Sequence, residues 1–172
     1  MKISCIIVNW NLKYLPRLCI EALKRSKTDF PFEIIVIDND SHDESLEYLE
    51  QMHKKGEITL VHSGANLGYG RANNLGAKYA KGKYLLVLNP DVSVETDTLQ
   101  KMAEYMDSHS DIGLLGPQLY FFNGQIQDSC RRFMRPMDLI IKRTPLQRFK
   151  FFKKRVEQYV MADFDHNKTQ EV

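Results

Sequence analysis

Short apolar runs alternate along the first half of the chain with segments whose apolar positions recur at helical spacing. Each run has the length of a β-strand, and the first two are rich in the β-branched residues of strands buried on both faces. The predicted strands are Lys2–Val8, Glu33–Ile37, Ile58–His62 and Lys83–Leu88. Strands that alternate with helices predict βαβ units, and therefore an α/β fold with a mostly parallel sheet and right-handed crossovers.

Each predicted strand is followed by a predicted helix. The helices expected from spacing are Leu12–Leu23, His42–Lys54, Ala72–Ala80 and Leu99–Met106. In the first of them, Leu15 and Leu18 belong to the recurring apolar positions that predict one apolar face. Pro16 falls in the first turn, where its missing N–H group has little effect on the helix.

Other signals mark the ends of the remaining helices. Ser41 and Glu44 have the spacing of a capping box before the second helix. Glu95 and Asp97 predict an acidic first turn for the fourth helix, which the helix dipole favours. Gly82 lies near the expected end of the third helix, as a glycine at a helix end commonly does.

Further β-structure is predicted after the fourth helix. Ile112–Leu115 has the pattern of a fifth strand, and Gln118–Phe122 is a candidate sixth. The Asn123-Gly124 pair is a strong hairpin signal between that segment and Gln125-Ile126. We divide the chain into an α/β domain over residues 1–130 and a basic, aromatic segment with a polar tail over residues 131–172.

Composition adds few constraints to this pattern. A chain of 172 residues with a net charge of +2 is long enough for one domain with a core, and no global charge calls for nucleic acid. Cys5, Cys19 and Cys130 lack CxxC spacing, which favours free thiols in a reducing compartment. The amino-terminal apolar run is too short to span a membrane. We therefore expect a cytoplasmic protein.

The residue types exclude several classes of site. The first strand-to-helix turn contains no glycine, so the glycine-rich dinucleotide fingerprint is absent. The chain has no GxxxxGK[ST] phosphate-binding loop, no Gly-x-Ser-x-Gly nucleophile turn and no His/Cys cluster with zinc spacing. A nucleotidyltransferase would need a glycine-rich basic loop after the first strand, and Asn9-Trp10-Asn11-Leu12 is not one.

Carboxamides and carboxylates follow all four predicted strands. They are Asn9 and Asn11, then Asp38 and Asn39, then Asn66, then Asn89 and Asp91. Open α/β sheets hold ligands at the carboxyl ends of their strands, where such groups can contact a nucleoside and ligate a hard cation. The alternative is that Asn and Asp favour turns and helix caps, which for Asp91 would mean a cap of the next helix.

Four motifs in the chain resemble a known family. They begin at Ile6, Val36, Asn66 and Leu88 and read Ile-Ile-Val-Asn-Trp-Asn, Val-Ile-Asp-Asn-Asp-Ser-His-Asp-Glu-Ser, Asn-Leu-Gly-Tyr-Gly-Arg-Ala-Asn-Asn-Leu-Gly and Leu-Asn-Pro-Asp-Val. In order and spacing they resemble the donor-binding half of GT-A fold, family 2 glycosyltransferases, especially the rhamnosyltransferase-like members that build bacterial surface polysaccharides. The resemblance covers about Ile3–Pro117. It implies a GT-A-like, Rossmann-like sheet flanked by helices and incomplete at its carboxyl end.

The resemblance also implies roles for individual residues. Asp38 would accept a hydrogen bond from the nucleobase. The other residues that would contact the nucleoside-diphosphate sugar are Asn9, Asn11, Asn39, Asn66, Gly68, Arg71, Asn74 and Asn89. Asp91 would ligate Mg²⁺ or Mn²⁺, and Asn89 stands where many relatives carry the first acid of an Asp-x-Asp pair. For Arg71 a solvated helix position is the alternative, and for Gly68 a turn geometry that only glycine adopts easily.

The implied reaction is inverting transfer of a sugar from a nucleoside-diphosphate sugar, for instance dTDP-rhamnose, to a glycan or lipid-linked acceptor. The later Gly-Ala, Phe-Asp-Glu and Glu-Asp-x-Asp motifs of the relatives are absent. We therefore expect the general base to lie beyond Val172, and this chain to be a truncated, inactive donor-binding part. Asp163-Phe164-Asp165-His166 is interpreted as a polar lead-in to the missing half. A non-catalytic nucleotide- or membrane-binding module is the alternative.

Residues 131–155 have a composition of their own, with ten Lys or Arg and one acid, Asp138. Phe133, Phe149, Phe151 and Phe152 are interleaved with the basic residues. This composition suits an anionic membrane surface, with the protein peripheral at the inner face of the plasma membrane. It equally suits a solvated face or one that the missing half would cover, and nucleic-acid binding is the weakest option because no DNA or RNA motif accompanies it.

Overall fold

The computed structural model describes residues 1–127, 129–133, 135–142, 144, 150–161, 164, 165 and 169. It divides into two compact units, residues 1–115 and 116–172. The elements of the first unit are β1 (Ile3–Asn9), α1 (Leu15–Lys24), β2 (Phe32–Asp38), α2 (Ser45–Lys54), β3 (Thr59–His62), α3 (Tyr69–Ala77), β4 (Tyr84–Leu88) and α4 (Thr98–Ser108). Its four strands form a parallel sheet in the order β3-β2-β1-β4, which confirms the α/β prediction and all four strands.

Helices cover both faces of this sheet, because successive side chains of the central strands point to opposite sides. Cys5 and Ile7 of β1 belong to a core that also includes residues of α1, α2 and α4. Ile6 and Val8 belong to the second core, where Ala72 of α3 packs on β1 and β2. The strand most fully covered is therefore β1, as expected of a strand buried on both faces.

The edge strand β4 is covered on one face only. Tyr84, Leu86 and Leu88 contact the core shared with α1, α2 and α4. On the opposite face Leu85 and Val87 are about half exposed, with 51% and 48% of their surface accessible. The apolar run of β4 therefore continues over positions that nothing in the described part of the chain buries.

The structure corrects local predictions about α1, α2 and α4 in the first unit. Leu15 and Leu18 are exposed, because the buried face of α1 is formed by Pro16, Cys19, Ile20, Ala22 and Leu23. Ser41 and Glu44 form no capping box, since α2 begins at Ser45 and its cap residue Glu44 makes no side-chain cap bond. The first turn of α4 contains no acid, because the helix starts at Thr98, after the acids that were expected inside it.

The predicted fifth strand is wrong. Ile112–Leu115 forms no strand in the structure, and Leu114 is 90% exposed. A β-strand is stable only where a neighbouring strand pairs its backbone groups, and an apolar composition does not supply that neighbour. Gly113 and Gly116 also weaken the local preference for an extended strand.

The second unit contains the predicted hairpin. Its described elements are β5 (Leu119–Tyr120), β6 (Ile126–Gln127), α5 (Pro136–Lys142) and α6 (Lys150–Tyr159). β5 and β6 pair antiparallel, and Gly124 in the turn has φ 81°, a left-handed value that glycine adopts readily. Asp138 at the start of α5 accepts a hydrogen bond of 2.6 Å from Arg155 of α6.

No helix in the described part of the chain is both long and apolar enough to cross a bilayer.

At the amino end of the sheet, Asp107 joins α4 to two strands. Its carboxylate accepts hydrogen bonds from Lys2, from Lys83 at 2.6 Å and from the hydroxyl of Tyr84 at 2.7 Å. The bonds from Lys2, Lys83 and Tyr84 lower the pKa of this carboxyl well below its ordinary value of 3.8. A group with a lowered folded-state pKa contributes stability above the ordinary pKa and loses it as the pH falls.

We expect Asp107→Asn to lower the midpoint of urea unfolding at pH 7. The difference from the wild type should shrink as the pH falls below about 4, since the Asp107 carboxyl then takes up a proton in the unfolded chain while the folded protein still holds it ionised. Urea unfolding followed by circular dichroism between pH 2.5 and 8 measures it. Asp97→Asn is the control, because Asp97 pairs only with Lys101 of its own helix among the described contacts. Equal pH dependence in the two variants would contradict the assignment.

Candidate functional site

A cleft of about 460 Å³ opens in the first unit at the carboxyl end of the sheet. It lies where the strand order reverses, since β2 and β3 lie on one side of β1 and β4 lies on the other. Such switch points are the usual ligand sites of open α/β sheets, and the volume suits a small-molecule site. The cleft is lined by Val8, Trp10, Leu12, Leu15, Asn39, Asn66, Gly68, Tyr69, Asn89, Pro90 and Asp91.

The β4 side of the cleft is the turn Asn89-Pro90-Asp91. Pro90 is buried, whereas Asn89 and Asp91 are exposed. The carbonyl of Asn89 accepts the backbone N–H of Val92 at 3.2 Å, which closes the turn directly after the strand. Asp91 is the one acid among the residues that line the cleft, and it does not cap α4, whose cap residue is Asp97.

A buried thiol, that of Cys19, lies next to this turn and is affected by the charge of Asp91. Cys19 of α1 lies 3.8 Å from the carbonyl oxygen of Asn89. Burial and the negative charge of Asp91 together raise the pKa of Cys19 to about 12. The thiol therefore stays neutral at physiological pH, and the charge at this end of the cleft is that of the carboxylate.

Two carboxamides form the opposite side of the cleft. Asn39 donates a hydrogen bond from Nδ2 to Oδ1 of Asn66 at 2.9 Å and accepts the backbone N–H of Leu67 at 2.9 Å. Asn66 Oδ1 also accepts the backbone N–H of Gly68 at 2.9 Å. These bonds fix the loop after β3 to the end of β2, so that both carboxamides are held in place before any ligand arrives.

The amino terminus of α3 opens into the cleft. Its cap residue Gly68 has φ 75°, a conformation that favours glycine, and it lines the cleft together with Tyr69. The first N–H groups of a helix have no partner within the helix and attract anions. Arg71 and Asn74 lie on the same helix, are exposed and do not line the cleft.

Three other predicted residues lie behind or beside the cleft. Asn9 is fully buried, and its Nδ2 lies 3.2 Å from Oδ1 of Asp38. Asp38 is 3% exposed and also lies 3.6 Å from Nδ1 of His62. Asn11 is exposed and bonds to the turn after β2. None of these three lines the cleft, so the roles that the resemblance implies for them stay predictions.

The structure adds two aromatic residues that the sequence analysis did not select. Trp10 and Tyr69 line the cleft, and about half of each side chain is exposed. The position of Trp10 between Asn9 and Asn11, directly after a buried strand, was the signal that could have identified it. A flat, half-exposed ring at a cleft can stack on a nucleobase or on a sugar ring.

The part of the chain that the structure describes contains no group of three or more His, Cys, Asp or Glu side chains able to hold a metal ion. One exposed carboxylate is nevertheless a common protein contribution to a Mg²⁺ site, because that ion keeps waters and takes substrate phosphates as further ligands. The residues present therefore fit a cation that arrives with a diphosphate.

Some predicted residues lie outside the described part of the chain. Among them are Asp163 and His166 of the polar tail and Phe149 of the basic segment. The interpretation of residues 131–155 as a membrane surface accordingly remains a prediction.

Residues 4–167 match the profile of a protein family described as Glycosyl transferase family 2. The chain is 31% identical over 129 residues to an uncharacterized glycosyltransferase, MJ1057, of Methanocaldococcus jannaschii, covering 72% of this chain and 44% of that protein. It is 32% identical over 121 residues to poly(ribitol-phosphate) beta-N-acetylglucosaminyltransferase TarS of Staphylococcus aureus, covering 67% of this chain and 21% of that protein. The chain thus spans less than half the length of either relative.

A solved structure with the same architecture is that of S. aureus TarS 1–349 in complex with UDP-GlcNAc. It matches with a TM-score of 0.55 and 26% identity, over 72% of this chain and 42% of that chain. A mannosyltransferase of Pyrobaculum calidifontis, solved with GDP-Man and Mn²⁺, matches with a TM-score of 0.55 at 20% identity, over 61% and 32% of the two chains, which is a likeness of fold alone.

Proposed function

The chain belongs to glycosyl transferase family 2 and has the GT-A fold, and from this premise we propose that its cleft binds a nucleoside-diphosphate sugar for inverting sugar transfer. The observation that carries the proposal is the arrangement of the cleft itself. One exposed carboxylate, Asp91, lies on one side, two fixed carboxamides, Asn39 and Asn66, lie on the other, and Trp10 and Tyr69 add half-exposed rings. A ligand with an anionic centre and a flat polar base suits these walls.

We assign the parts of the ligand by their chemistry. The diphosphate belongs near the amino terminus of α3 and Asp91, where the helix N–H groups attract anions and the carboxylate holds a cation. The nucleobase belongs near Asn39 and Asn66, because each carboxamide offers both a donor and an acceptor to a base edge. Trp10, which lines the cleft, would stack on the base. Asp38 is buried and lies 3.2 Å from Nδ2 of Asn9, and we propose that it accepts a hydrogen bond from the base.

A divalent cation, Mg²⁺ or Mn²⁺, bound at Asp91 would offset the negative charge that builds up on the leaving nucleoside diphosphate. Asn89 can add an amide oxygen as a neutral ligand. A site with one carboxylate has less negative charge than a pair of acids would give, so we expect the affinity for the free cation to be weak and to rise when the diphosphate is present.

The acceptor and the finer donor identity are further proposals. TarS, whose structure was solved with UDP-GlcNAc, supports a uridine diphosphate sugar, whereas the rhamnosyltransferase-like motifs support dTDP-rhamnose. Uracil and thymine share the same imide edge, so the carboxamides suit both. The name of a relative that acts on poly(ribitol-phosphate) supports a polymer acceptor such as a polysaccharide. A lipid-linked acceptor at a membrane surface is a further proposal, for which the basic and aromatic composition of residues 131–155 is the support. We assign the general base to none of the described residues.

The intrinsic fluorescence of Trp10 tests nucleotide binding directly, because the chain contains a single tryptophan. We expect UDP and dTDP with Mg²⁺ to change its emission saturably, since a base that stacks on the ring alters its surroundings. At a ligand concentration about 100 times Kd, binding raises the free energy of unfolding by about 2.7 kcal/mol, which raises the Tm of a chain of this size by several degrees. N-acetyltryptophanamide controls for light absorbed by the nucleotide.

A flat response and an unchanged Tm with every nucleoside diphosphate would contradict donor binding. The remaining candidate would then be a non-catalytic module that acts through residues 131–155. Binding to vesicles that contain anionic lipid, lost on reversal of charge at Arg131, Arg132 and Arg135, would support that candidate.

A further inference from the structure

Two turns at the carboxyl end of the sheet have unusual backbone conformations. Asn11 and Lys13, in the turn between β1 and α1, have φ values of 52° and 47°. Asp40, in the turn between β2 and α2, has φ 68°. None of the three is glycine, so each conformation has a backbone cost, smaller for Asn11 and Asp40 than for Lys13, and surrounding contacts must hold it. Such strain is commonly found at functional sites.

The two turns hold each other through hydrogen bonds that cross between them. The backbone N–H of Asn11 donates to Oγ of Ser41 at 3.1 Å, and the backbone N–H of His42 donates to Oδ1 of Asn11 at 2.7 Å. The backbone N–H of Lys13 donates to Oδ2 of Asp43 at 2.8 Å. Each strained residue of the first turn is thus bonded to a side chain or an N–H group of the second.

Asp43 and Tyr48 complete this connection. The hydroxyl of Tyr48, on α2, donates to the carbonyl of Lys13 at 2.5 Å. Burial acts to raise the pKa of Asp43, but hydrogen bonds from Ser45 and from the N–H of Lys13 outweigh it and lower that pKa. The acceptor for the Lys13 N–H therefore stays ionised at neutral pH.

Ser41 occupies the centre of the connection and is 3% exposed. Its Oγ lies 3.1 Å from Nδ2 of Asn9 and also accepts the N–H of Asn11. The residue between these two partners is Trp10, which lines the cleft with half its surface exposed. One buried hydroxyl is thus bonded to both neighbours of the aromatic residue at the cleft.

We propose that Ser41 is a positioning residue of the donor site, which fixes the strained turn 9–13 and so holds the ring of Trp10 ready for the ligand. The identity of that ligand rests on the proposed function. The ordering of Trp10 by Ser41 does not depend on it. Ser41 does not line the cleft, so its effect on binding is transmitted through Asn9 and Asn11. Without the hydroxyl, the turn would sample conformations that move the ring away.

The test compares Ser41→Ala with Ser4→Ala. Ser4 is equally buried, and its Oγ accepts the backbone N–H of Gly82 at 2.8 Å and donates to Glu33 at 2.7 Å. It lies at the other end of β1, away from the cleft, so it controls for the general loss of a buried hydroxyl. Acrylamide quenching of Trp10 in the ligand-free protein and calorimetric titration with UDP and Mg²⁺ are measured for both variants.

We expect stronger acrylamide quenching in Ser41→Ala and wild-type quenching in Ser4→Ala. If the competent conformation falls to about a tenth of the population, affinity for UDP falls about tenfold. Ser41→Thr, which keeps a hydroxyl, should restore much of both signals. Equal quenching of Trp10 in Ser41→Ala and the wild type would overturn the proposal.

A second variant keeps the proposal testable if Ser41→Ala does not fold. Asn11→Gly suits the φ of 52° and should therefore keep the fold, but it removes the acceptor for the His42 N–H and loosens the turn. We expect stronger quenching of Trp10 at an almost unchanged Tm, and wild-type quenching would count against the proposal. If the wild type binds no nucleotide, the proposed function fails while the quenching measurements still decide the role of Ser41.

Discussion

Replacing Asp91 with alanine should remove the cation-dependent part of nucleoside-diphosphate binding. Asp91 is the one acid among the residues that line the cleft, so no second carboxylate there can take over the cation. Loss of a residue that merely supports a metal ligand lowers affinity about 10- to 100-fold, so loss of the ligand itself should lower it by about 100-fold or more. Titration calorimetry with UDP, with Mg²⁺ and with excess EDTA, measures both parts.

The control for this prediction is Asp97→Ala. Asp97 lies six residues further along, is exposed and pairs with Lys101 at 2.6 Å, outside the cleft. It should bind UDP with Mg²⁺ as the wild type does. Asp91→Asn is informative as well, because it keeps the shape and removes the charge; binding that survives in this variant with full dependence on Mg²⁺ would show that Asp91 is not the cation ligand.

The Asp91 prediction rests on a feature that the sequence did indicate, namely polar residues at the ends of parallel strands. β1, β2 and β4 end at Asn9, Asp38 and Leu88, close to where the pattern placed them. Parallel strands bring their carboxyl ends to one edge, so the pattern predicted Asn39, Asn66 and Asp91 near one another, and all three line the cleft.

The sequence could not tell which of two adjacent polar residues faces the cleft. Asn9 and Asp38 are paired in register and point towards the face that α1 and α2 cover, which buries them. Asn39, one residue further, points into the cleft. Which polar residue is buried depends on which face of the sheet each helix covers. A strand buried on both faces has apolar residues at nearly every position, so its sequence does not show which face that is.

The failed fifth strand has a related cause. The run Ile112–Leu115 has a strand composition, yet it pairs with no strand in the described part of the chain. Leu85 and Val87 of the edge strand β4 are also half exposed, although they too belong to an apolar run. Strand propensity reflects packing against neighbours more than an intrinsic backbone preference.

The reason for a glycine at position 82 is its close approach to β1, not the end of a helix as predicted. The expectation was a glycine near the end of α3, but that helix ends at Ala77. Gly82 lies instead against β1, where a Cβ atom would be 2.6 Å from the backbone nitrogen of Ser4 and 2.7 Å from the carbonyl carbon of Ile3. Its N–H donates to Oγ of Ser4 at 2.8 Å, which attaches the start of β4 to β1.

Gly82→Ala should therefore destabilise the fold far more than the same substitution at a glycine whose surroundings are open. The clash involves backbone atoms of the central strand, which cannot rotate away as a side chain can, so we expect a loss of about 3 kcal/mol or more in the free energy of unfolding. Gly113→Ala is the matched control, because a Cβ there meets nothing within 4 Å, and its effect should stay within about 0.5 kcal/mol. Urea unfolding measures both variants, and equal midpoints would contradict the prediction, because they would mean that the start of β4 moves away from β1 without a penalty.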